Sequence, residues 1–313
     1  MRVCELSLNN FRNYHKQHIT FGEGVNILYG DNAQGKTNVL EAIYLFATGK
    51  SHRTQKDVDF IRFGTPFADV KIAFDSQQRT QRGEMIFATD KRKRIKLNGI
   101  PIQKLGELMG VFNVVCFSPE DLYFIKEGPK ERRRFIDICL SQTTPQYFYH
   151  LQQYVKVLEQ RNAQLKRMND RATAMLEVWN EKLVVHGTQL MRMREAFLTQ
   201  ITPQAVAIHR EMTAENLTIT YAPNISYAQL DDMQEAFANK LKQNMQREIE
   251  AKTTLYGPHR DDILFYINDH EVKTFGSQGQ QRTVVLTLKL AEMSWMHEVK
   301  GEYPVLLLDD ILS

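Results

Sequence analysis

Short apolar stretches separated by polar turns occupy both ends of the chain, and they predict β-strands there. Residues 2–8 alternate apolar and polar side chains, as in a strand with one buried face. Residues 67–102 contain several such runs, and the Asn98-Gly99 pair suits a type I′ turn between two of them. Further strands are predicted at residues 25–29, 111–117, 264–267 and 304–308, the first and last of them buried.

The middle of the chain instead repeats apolar side chains every seven residues, which predicts helices that pack along one face. The repeat continues on both sides of a polar break at residues 169–171, so we expect an antiparallel helical hairpin. A third amphipathic helix is predicted around residues 230–241. We therefore expect a helical lobe of residues 120–250 inserted into a discontinuous domain of residues 1–119 and 251–313. The repeat positions are Leu151, Leu158, Leu165, Leu176, Leu183, Leu190 and Phe197.

Composition narrows the class of protein only slightly. Of the 313 residues, 42% are hydrophobic and 25% charged, which is typical of a globular protein. The three cysteines form no C-x-x-C pair, and no apolar run approaches the ~20 residues that span a membrane. We expect a cytoplasmic protein without membrane contact. The net charge of +3 permits a nucleic-acid partner without requiring one.

A glycine-bracketed loop follows the first buried run. Residues 30–37 match G-x-x-x-x-G-K-[ST], the phosphate-binding P-loop, and the residues after the loop have helical spacing. Backbone N–H groups of such a loop and of the following helix point at a bound phosphate. Lys36 would reach the β- and γ-phosphates, and the Thr37 hydroxyl would bind Mg²⁺. The predicted nucleotide contacts are Gly30, Asp31, Asn32, Ala33, Gln34, Gly35, Lys36 and Thr37.

A second candidate anion site and a candidate metal ligand lie near the end of the sequence. Ser277 and Gly279 precede a stretch of helical periodicity, where a hydroxyl, a glycine amide and a helix N-terminus all favour negative charge. Residues 304–308 lead into Asp309 and Asp310. The first carboxylate would bind the metal ion, and the second would lie near the attacking water. Each pattern is common by itself, but the three in this order are far rarer.

Other polar residues follow less specific patterns. Arg12 and Asn13 lie in a polar turn shortly before the P-loop, so we expect them near the nucleotide, although such residues are also ordinary in turns. Basic clusters at residues 91–94 and 130–134 are candidates for contacts with DNA phosphates. The first also suits a solvated loop, and the second lies at a helix start, where it needs acidic or phosphate partners. The sequence does not rank the two clusters.

The order of P-loop, capped helix and acidic strand resembles the heads of ATP-binding cassette ATPases. A helical insertion between the first two points to the branch that includes SMC proteins, and within it the chain resembles the RecF family of recombination mediators. The resemblance implies an α/β head with a mixed sheet around the P-loop helix, an antiparallel β subdomain and an inserted helical lobe. Matching residues span nearly the whole chain, at 8–14, 30–42, 117–122, 133–137, 257–262, 276–282 and 308–310.

This resemblance implies an ATP-dependent DNA-binding protein of recombinational repair. Mg-ATP would join two copies, with Ser277 and Gly279 of one copy on the γ-phosphate held by Lys36 of the other. DNA, as duplex or at gapped and single-stranded junctions, would lie across the paired heads. The protein would help to load recombinase together with other mediator proteins. Slow, DNA-dependent ATP hydrolysis, assigned to Lys36, Ser277 and Asp310, would release the dimer.

Two other functions are compatible with the P-loop. One is a small-molecule kinase or GTPase, although no [NT]-K-x-D guanine-specificity element is present. The other is a structural SMC-like head, which the short heptad runs disfavour. Many cassette ATPases have glutamate where this chain has Asp310. The chain ends at Ser313, inside the expected D-loop, so we expect a truncated C-terminus that weakens dimerisation and hydrolysis.

Overall fold

The computed structural model describes residues 1–51, 53–54, 56–167 and 173–310, with the side chains of residues 173–175 excepted. Contacts within the chain divide it into two compact units. Unit 1 comprises residues 1–119, 141–143 and 292–313, and unit 2 comprises residues 120–140 and 144–291.

The domain boundaries predicted from the sequence stay a prediction, but the compact units divide one segment differently. Residues 251–291, expected with the P-loop domain, group with the helical residues of unit 2. Strand pairing explains this grouping, because residues 217–222 form an antiparallel ladder with residues 262–267. Backbone hydrogen bonds therefore tie this segment to the end of the helical insertion.

Unit 1 contains a six-stranded antiparallel sheet, which confirms the strands predicted at residues 2–8 and within 67–102. Its strands are β1 (Arg2–Phe11), β2 (Tyr14–Thr20), β3 (Phe67–Ser76), β4 (Arg79–Ala88), β5 (Arg94–Leu97) and β6 (Ile100–Ile102). They lie in the order β2-β1-β3-β4-β5-β6. Asn98 and Gly99 have φ values of 51° and 81°, the positive values that a type I′ turn requires at both central positions.

Helix α1 (Lys36–Thr48) shares its apolar side with the core of this sheet, as its spacing predicts. Val39, Ile43 and Phe46 are no more than 2% exposed. Burial of a side chain of this size contributes about 1.5–3 kcal/mol. Since no side chain caps the N-terminus of α1, the core rather than a cap fixes where the helix begins.

The remaining helices and the small sheet follow in chain order. Strand β7 (Val114–Phe117) of unit 1 comes first. It is followed by α2 (Tyr123–Lys126), α3 (Pro129–Thr143), α4 (Pro145–Arg167), α5 (Thr173–Thr213), β8 (Leu217–Ala222), α6 (Met233–Gln243), α7 (Met245–Ala251), β9 (Asp262–Ile267), β10 (His270–Glu271), α8 (Val272–Phe275) and α9 (Gln278–Lys300). Strands β10, β9 and β8 form a three-stranded antiparallel sheet. No helix in the described ranges is both long and apolar enough to cross a membrane.

Helices α4 and α5 form the predicted antiparallel pair. Near the start of α4, the Tyr147 hydroxyl accepts a hydrogen bond from Arg194, halfway along α5, at 3.0 Å. Near the end of α4, Arg161 donates to Asn180, early in α5, at 2.7 Å. The opposite order of these contacts establishes the antiparallel arrangement. The predicted polar break at residues 169–171 lies outside the described residues.

Charged side chains are buried and paired inside unit 2. Arg161 donates to Glu248 at 2.6 Å, and both side chains are fully buried. Arg194 donates to Asp261 at 3.0 Å, and Arg132 forms two bonds to Asp262, at 2.6 and 2.9 Å. Removing one partner of a buried pair leaves an uncompensated charge and typically costs about 3–5 kcal/mol. Two carboxylates of the 257–262 motif therefore hold the helical unit together.

His259 of the same motif is a half-buried group that the fold keeps neutral. Its Nδ1 accepts a hydrogen bond from the Tyr154 hydroxyl at 2.7 Å, and its Nε2 lies 3.2 Å from the Thr254 carbonyl oxygen. Burial lowers the pKa of His259 from the ordinary 6.5 to about 4, because the charged imidazolium loses its hydration. The folded chain therefore resists protonation at this position.

Unit 1 also contains a parallel pair of strands, β7 and β11 (Val305–Leu308), in which Phe117 lies opposite Leu308. The strands predicted at residues 111–117 and 304–308 are thus confirmed in position. The prediction that the second is a buried strand is wrong. Leu307 is 4% exposed, whereas Leu306 and Leu308 are 38% and 55% exposed, because alternate side chains of a strand face opposite sides.

The buried strand predicted at residues 25–29 is wrong. No strand is assigned there, and Val25, Ile27 and Tyr29 are 89%, 78% and 92% exposed. Only Leu28 of this run packs against the core. An apolar pattern indicates a preference for burial, but a strand also needs a neighbour for its backbone hydrogen bonds. None of the strands within the described residues pairs with this run.

Candidate nucleotide site

The P-loop forms an exposed segment that ends where α1 begins. Residues 30–34 are exposed, and Gly35 has a φ of 100°. A Cβ at Gly35 would lie 2.7 Å from Asn13 Oδ1 and 2.9 Å from the Tyr14 ring. A side chain is therefore excluded both by the backbone conformation and by lack of space.

The first turn of α1 carries donors that suit an anion. The N–H groups of Lys36 and Thr37 have no acceptor within the helix, as at the start of any α-helix. Lys36 Nζ donates to the carbonyl oxygens of Gly30 at 2.6 Å and of Asp31 at 2.8 Å. An ammonium group has three donors, so one remains for a ligand. The positive end of the helix and the ammonium group thus favour phosphate at one place.

Thr37 and Asp309, the two predicted metal ligands, lie together although 272 residues separate them. The Thr37 hydroxyl donates to Asp309 Oδ1 at 3.1 Å. Asp309 follows directly after β11, and its N–H donates to the Phe117 carbonyl oxygen at 2.9 Å. Hydroxyl and carboxylate oxygens are ligands that Mg²⁺ accepts alongside phosphate oxygens. Asp310, the predicted catalytic carboxylate, is exposed and has a φ of 50°.

The turn between β1 and β2 reaches the P-loop through Asn13. The Asn13 amide donates to the Ala33 carbonyl oxygen at 3.4 Å and accepts from Asn38 at 2.8 Å. Arg12 turns instead toward a carboxylate, since its guanidinium makes two bonds to Glu41, at 2.7 and 2.9 Å. Both residues lie beside the loop, and their contact with nucleotide stays a prediction.

Glu41 is the residue of this region whose role the sequence reasoning missed. Its side chain is fully buried and accepts hydrogen bonds from Arg12, from Ser51 at 2.5 Å and from Arg53 at 3.4 Å. Arg53 also donates to Asn38 at 2.9 Å. The sequence did contain a signal for this role, because Glu41 lies between apolar positions of α1. An ionised carboxylate is buried only when it has partners, so the position predicts basic or hydroxyl groups nearby.

The signature segment at residues 276–279 is a capped helix start, as predicted. The Ser277 hydroxyl accepts from the Gln280 N–H at 3.2 Å, and the Gln280 side-chain oxygen accepts from the Ser277 N–H at 2.9 Å. This reciprocal arrangement is a capping box. Gly276 packs so closely that a Cβ would lie 2.5 Å from the Val272 carbonyl oxygen. Ser277, Gln278 and Gly279 are exposed.

The cap determines which donors the signature segment can offer. Three N–H groups are engaged. Gln280 donates to the Ser277 hydroxyl, Gln281 donates to the Ser277 carbonyl oxygen at 2.9 Å, and Ser277 donates to the Gln280 side chain. The N–H groups of Gln278 and Gly279, at the first helical positions, and the Ser277 hydroxyl proton remain for an anion.

The two basic clusters differ in their partners. In the first, Lys91, Arg92 and Arg94 are exposed, while Lys93 donates to the Gly49 carbonyl oxygen and to Asp57. In the second, protein groups occupy three of the four basic side chains: Arg132 pairs with Asp262, Arg133 with the Asp261 carbonyl oxygen and Arg134 with Glu131. The acidic partners that the second cluster needed are therefore protein groups.

Comparisons with known proteins give a consistent result. A protein-family model described as an AAA domain matches residues 5–281. "DNA replication and repair protein RecF" of Lachnoclostridium phytofermentans is 44% identical over the whole chain and 86% of its own length. The protein of the same name from Bacillus cereus is 44% identical over 85% of its length, and that from Halalkalibacterium halodurans is 42% identical over 86%.

Solved structures agree with the sequence comparison. A structure of the recombination mediator protein RecF with ATP, described as part of the RecFOR pathway, is 36% identical and has a TM-score of 0.95. The match covers 99% of this chain and 85% of that chain. An Smc head domain from Pyrococcus furiosus, at 15% identity and a TM-score of 0.54, shares the fold alone. The predicted α/β P-loop ATPase head of the SMC type is confirmed, and the chain belongs to the RecF family of DNA replication and repair proteins.

Proposed function

We propose that this chain is an ATP-dependent DNA-binding protein of recombinational repair, in which Mg-ATP joins two copies and slow hydrolysis separates them. The observation that carries the proposal is the presence of two exposed loop-to-helix junctions, each of which presents hydrogen-bond donors that suit a phosphate group. The P-loop offers an ammonium group, two helix N–H groups and the Thr37–Asp309 pair. The signature segment offers a hydroxyl group and two N–H groups.

The difference in donor sets supports a shared site. The P-loop can bind a triphosphate by itself, whereas three neutral donors at Ser277, Gln278 and Gly279 form too weak a site to hold one alone. A nucleotide already bound to a second copy would complete that site. Any ligand that binds only the paired state stabilises it by mass action. ATP would therefore act as the ligand of the dimer, and a relative has been solved with ATP.

Hydrolysis requires a metal ion and a positioned water. Thr37 and Asp309 would hold Mg²⁺ with the β- and γ-phosphates supplying further oxygens. Lys36 would neutralise charge that develops on the γ-phosphate, and Ser277 of the second copy would donate to it. Asp310 would orient the attacking water. Its side chain is one methylene shorter than the glutamate usual in cassette ATPases, so we expect slow turnover.

DNA would be held mainly through phosphate contacts, with the cluster of Lys91, Arg92 and Arg94 as the first candidate because these side chains are exposed. We propose duplex and gapped or single-stranded junctions as ligands, and loading of recombinase with other mediator proteins as the outcome. A cytoplasmic location suits Cys4, Cys116 and Cys139, which are scattered along the sequence with no C-x-x-C pair. Family membership favours this function over a small-molecule kinase, a GTPase or a purely structural head.

Sedimentation velocity with and without Mg-ATP tests the shared site. We expect wild-type monomers to dimerise with Mg-ATP, and Ser277→Arg to remain monomeric because a bulky side chain blocks the capped turn. Equilibrium binding should give the same ATP affinity for both proteins within about twofold. Val299→Arg, at an exposed position near the end of α9, is the matched control. Normal dimerisation of Ser277→Arg would falsify the shared site.

A further inference from the structure

The side chain of Gln280 contacts a second residue besides the capping serine. Its Nε2 donates to Glu215 Oε1 at 2.8 Å, while its Oε1 accepts from the Ser277 N–H at 2.9 Å. Glu215 follows the end of α5 and precedes β8, 62 residues before Ser277. The two ends of one amide group thus face two different segments of unit 2.

A carboxylate in this place determines which way the amide of Gln280 points. An ionised glutamate only accepts hydrogen bonds, so it selects the NH₂ end of the amide. The oxygen end must then face Ser277, where the backbone presents a donor. If the amide were reversed, its NH₂ group would face the Ser277 N–H, and the capping box would lose one of its two hydrogen bonds.

Glu215 is itself held in place at the end of α5. Its N–H donates to the Thr213 hydroxyl at 3.2 Å, and Ala214 adopts a φ of 59° with its N–H bonded to the Arg210 carbonyl oxygen at 3.0 Å. The Glu215 side chain is 27% exposed, so it is partly shielded from water. The turn that ends α5 therefore fixes the position of the carboxylate.

A second contact ties the same end of α5 to the signature helix. His209 and Thr287 are both fully buried, and His209 Nδ1 lies 3.0 Å from the Thr287 hydroxyl. The end of α5 thus touches α9 at Gln280 and again two turns later at Thr287. Two contacts along one helix fix its orientation better than one, so α5 acts as a support for the start of α9.

From these contacts we propose that Glu215 is a positioning residue for the signature segment, which acts by orienting the Gln280 amide. This inference rests on the proposed function. With the cap complete, the Ser277 hydroxyl proton and the N–H groups of Gln278 and Gly279 point outward together. Without Glu215 the cap opens, and the three donors no longer converge on one phosphate.

Three substitutions at one position separate amide orientation from charge. Glu215→Gln keeps an oxygen that accepts from Gln280, so we expect an ATP-dependent dimer affinity within about threefold of wild type. Glu215→Ala removes the acceptor, and dimer affinity should fall about 3- to 10-fold, the range for loss of a helix cap. Glu215→Lys presents donors and reverses the amide, so affinity should fall more than about 10-fold.

The lysine variant makes the test decisive, because a positive charge near the signature segment would by itself attract phosphate. A weaker dimer despite that charge indicates geometry. Glu211→Lys, exposed on α5 one turn earlier, is the matched charge control and should dimerise as wild type does. ATP binding by the monomer should stay within about twofold in all variants. Equal dimerisation of wild type, alanine and lysine variants would overturn the inference, as would a glutamine variant as weak as lysine.

Hydrogen exchange of the Ser277 amide gives a readout that does not depend on dimerisation. We expect faster exchange in Glu215→Ala and Glu215→Lys than in wild type, and unchanged exchange in Glu215→Gln and Glu211→Lys. Unchanged exchange in the alanine and lysine variants would refute the role of Glu215. If exchange responds as expected but wild type does not dimerise with Mg-ATP, the proposed function fails while the positioning of the cap stands.

Discussion

The P-loop and the signature segment are both loop-to-helix junctions, yet they are built in opposite ways. At the P-loop, Gly35 adopts a left-handed conformation, no side chain caps α1, and the core holds the helix. At the signature segment, Ser277 and Gln280 cap α9 reciprocally. Each junction leaves two helix N–H groups for an anion, and the P-loop adds the charged ammonium group of Lys36. In the proposed function, the first junction would therefore bind phosphate by itself, and the second would only complete a site.

The basic clusters of the two units also differ in how many cations are exposed. Residues 91–94 of unit 1 present three exposed cations, whereas Arg132 and Arg133 of unit 2 are engaged by the motif at residues 261–262. Similar runs of basic residues in the sequence thus have different uses in the fold. Whether a cation is available depends on the carboxylates that the distant chain brings to it.

The largest effect on binding is expected from a substitution in the P-loop. Lys36→Met should weaken ATP binding about 10- to 100-fold, since a hydrogen bond to a charged group contributes about 1.5–3 kcal/mol. Isothermal titration calorimetry measures the loss. Lys50→Met, an exposed lysine just after α1, serves as the control. An unchanged affinity in Lys36→Met would mean that the loop does not bind the phosphates.

A smaller effect is expected from the exposed cations of unit 1. The double variant Lys91→Ala and Arg92→Ala should bind duplex DNA more weakly. The slope of log affinity against log salt should fall by about 0.9 for each lost phosphate contact. Fluorescence anisotropy at several salt concentrations measures both quantities. Lys130→Ala, exposed in the other cluster, should leave the slope unchanged. A reduced slope in Lys130→Ala alone would reverse the assignment of the two clusters.

The last prediction concerns the stability of unit 2 rather than binding. The pKa of His259 is lowered to about 4 by burial, so the unfolded chain binds a proton at higher pH than the folded chain does. The stabilisation is fully present above pH ~6.5 and is lost as the pH falls through about 4. Urea unfolding at pH 7 and 4.5 should reveal a loss of about 2 kcal/mol in wild type that His259→Gln lacks. Equal losses in the two proteins would show that His259 is not the responsible group.

Local patterns predicted much of this molecule. The hairpin at Asn98-Gly99, the start of α1 at Lys36 and the cap at Ser277 each depend on a few adjacent residues, and each was visible in the sequence. Residues 25–29 were predicted incorrectly, since an apolar pattern does not say whether a strand has a neighbour.

Contacts between distant residues could not be predicted in this way. Glu41 meets Arg12 across 29 positions, and Gln280 meets Glu215 across 65. No periodicity links such pairs, because the packing of the whole unit decides which carboxylate reaches which donor. The approach of Asp309 to Thr37 was inferable only from the order of the motifs, not from spacing.

One feature of unit 1 makes the proposed metal position easy to disturb. Asp309 is placed by a single backbone hydrogen bond to Phe117, at the end of a ladder only two strands wide. A slip of one residue between β7 and β11 would turn the carboxylate to the opposite face. Substitutions of the buried residues Val114–Phe117 that shift this pairing should therefore lower the rate of ATP hydrolysis. Harmful variants of this family need not lie in its signature sequences.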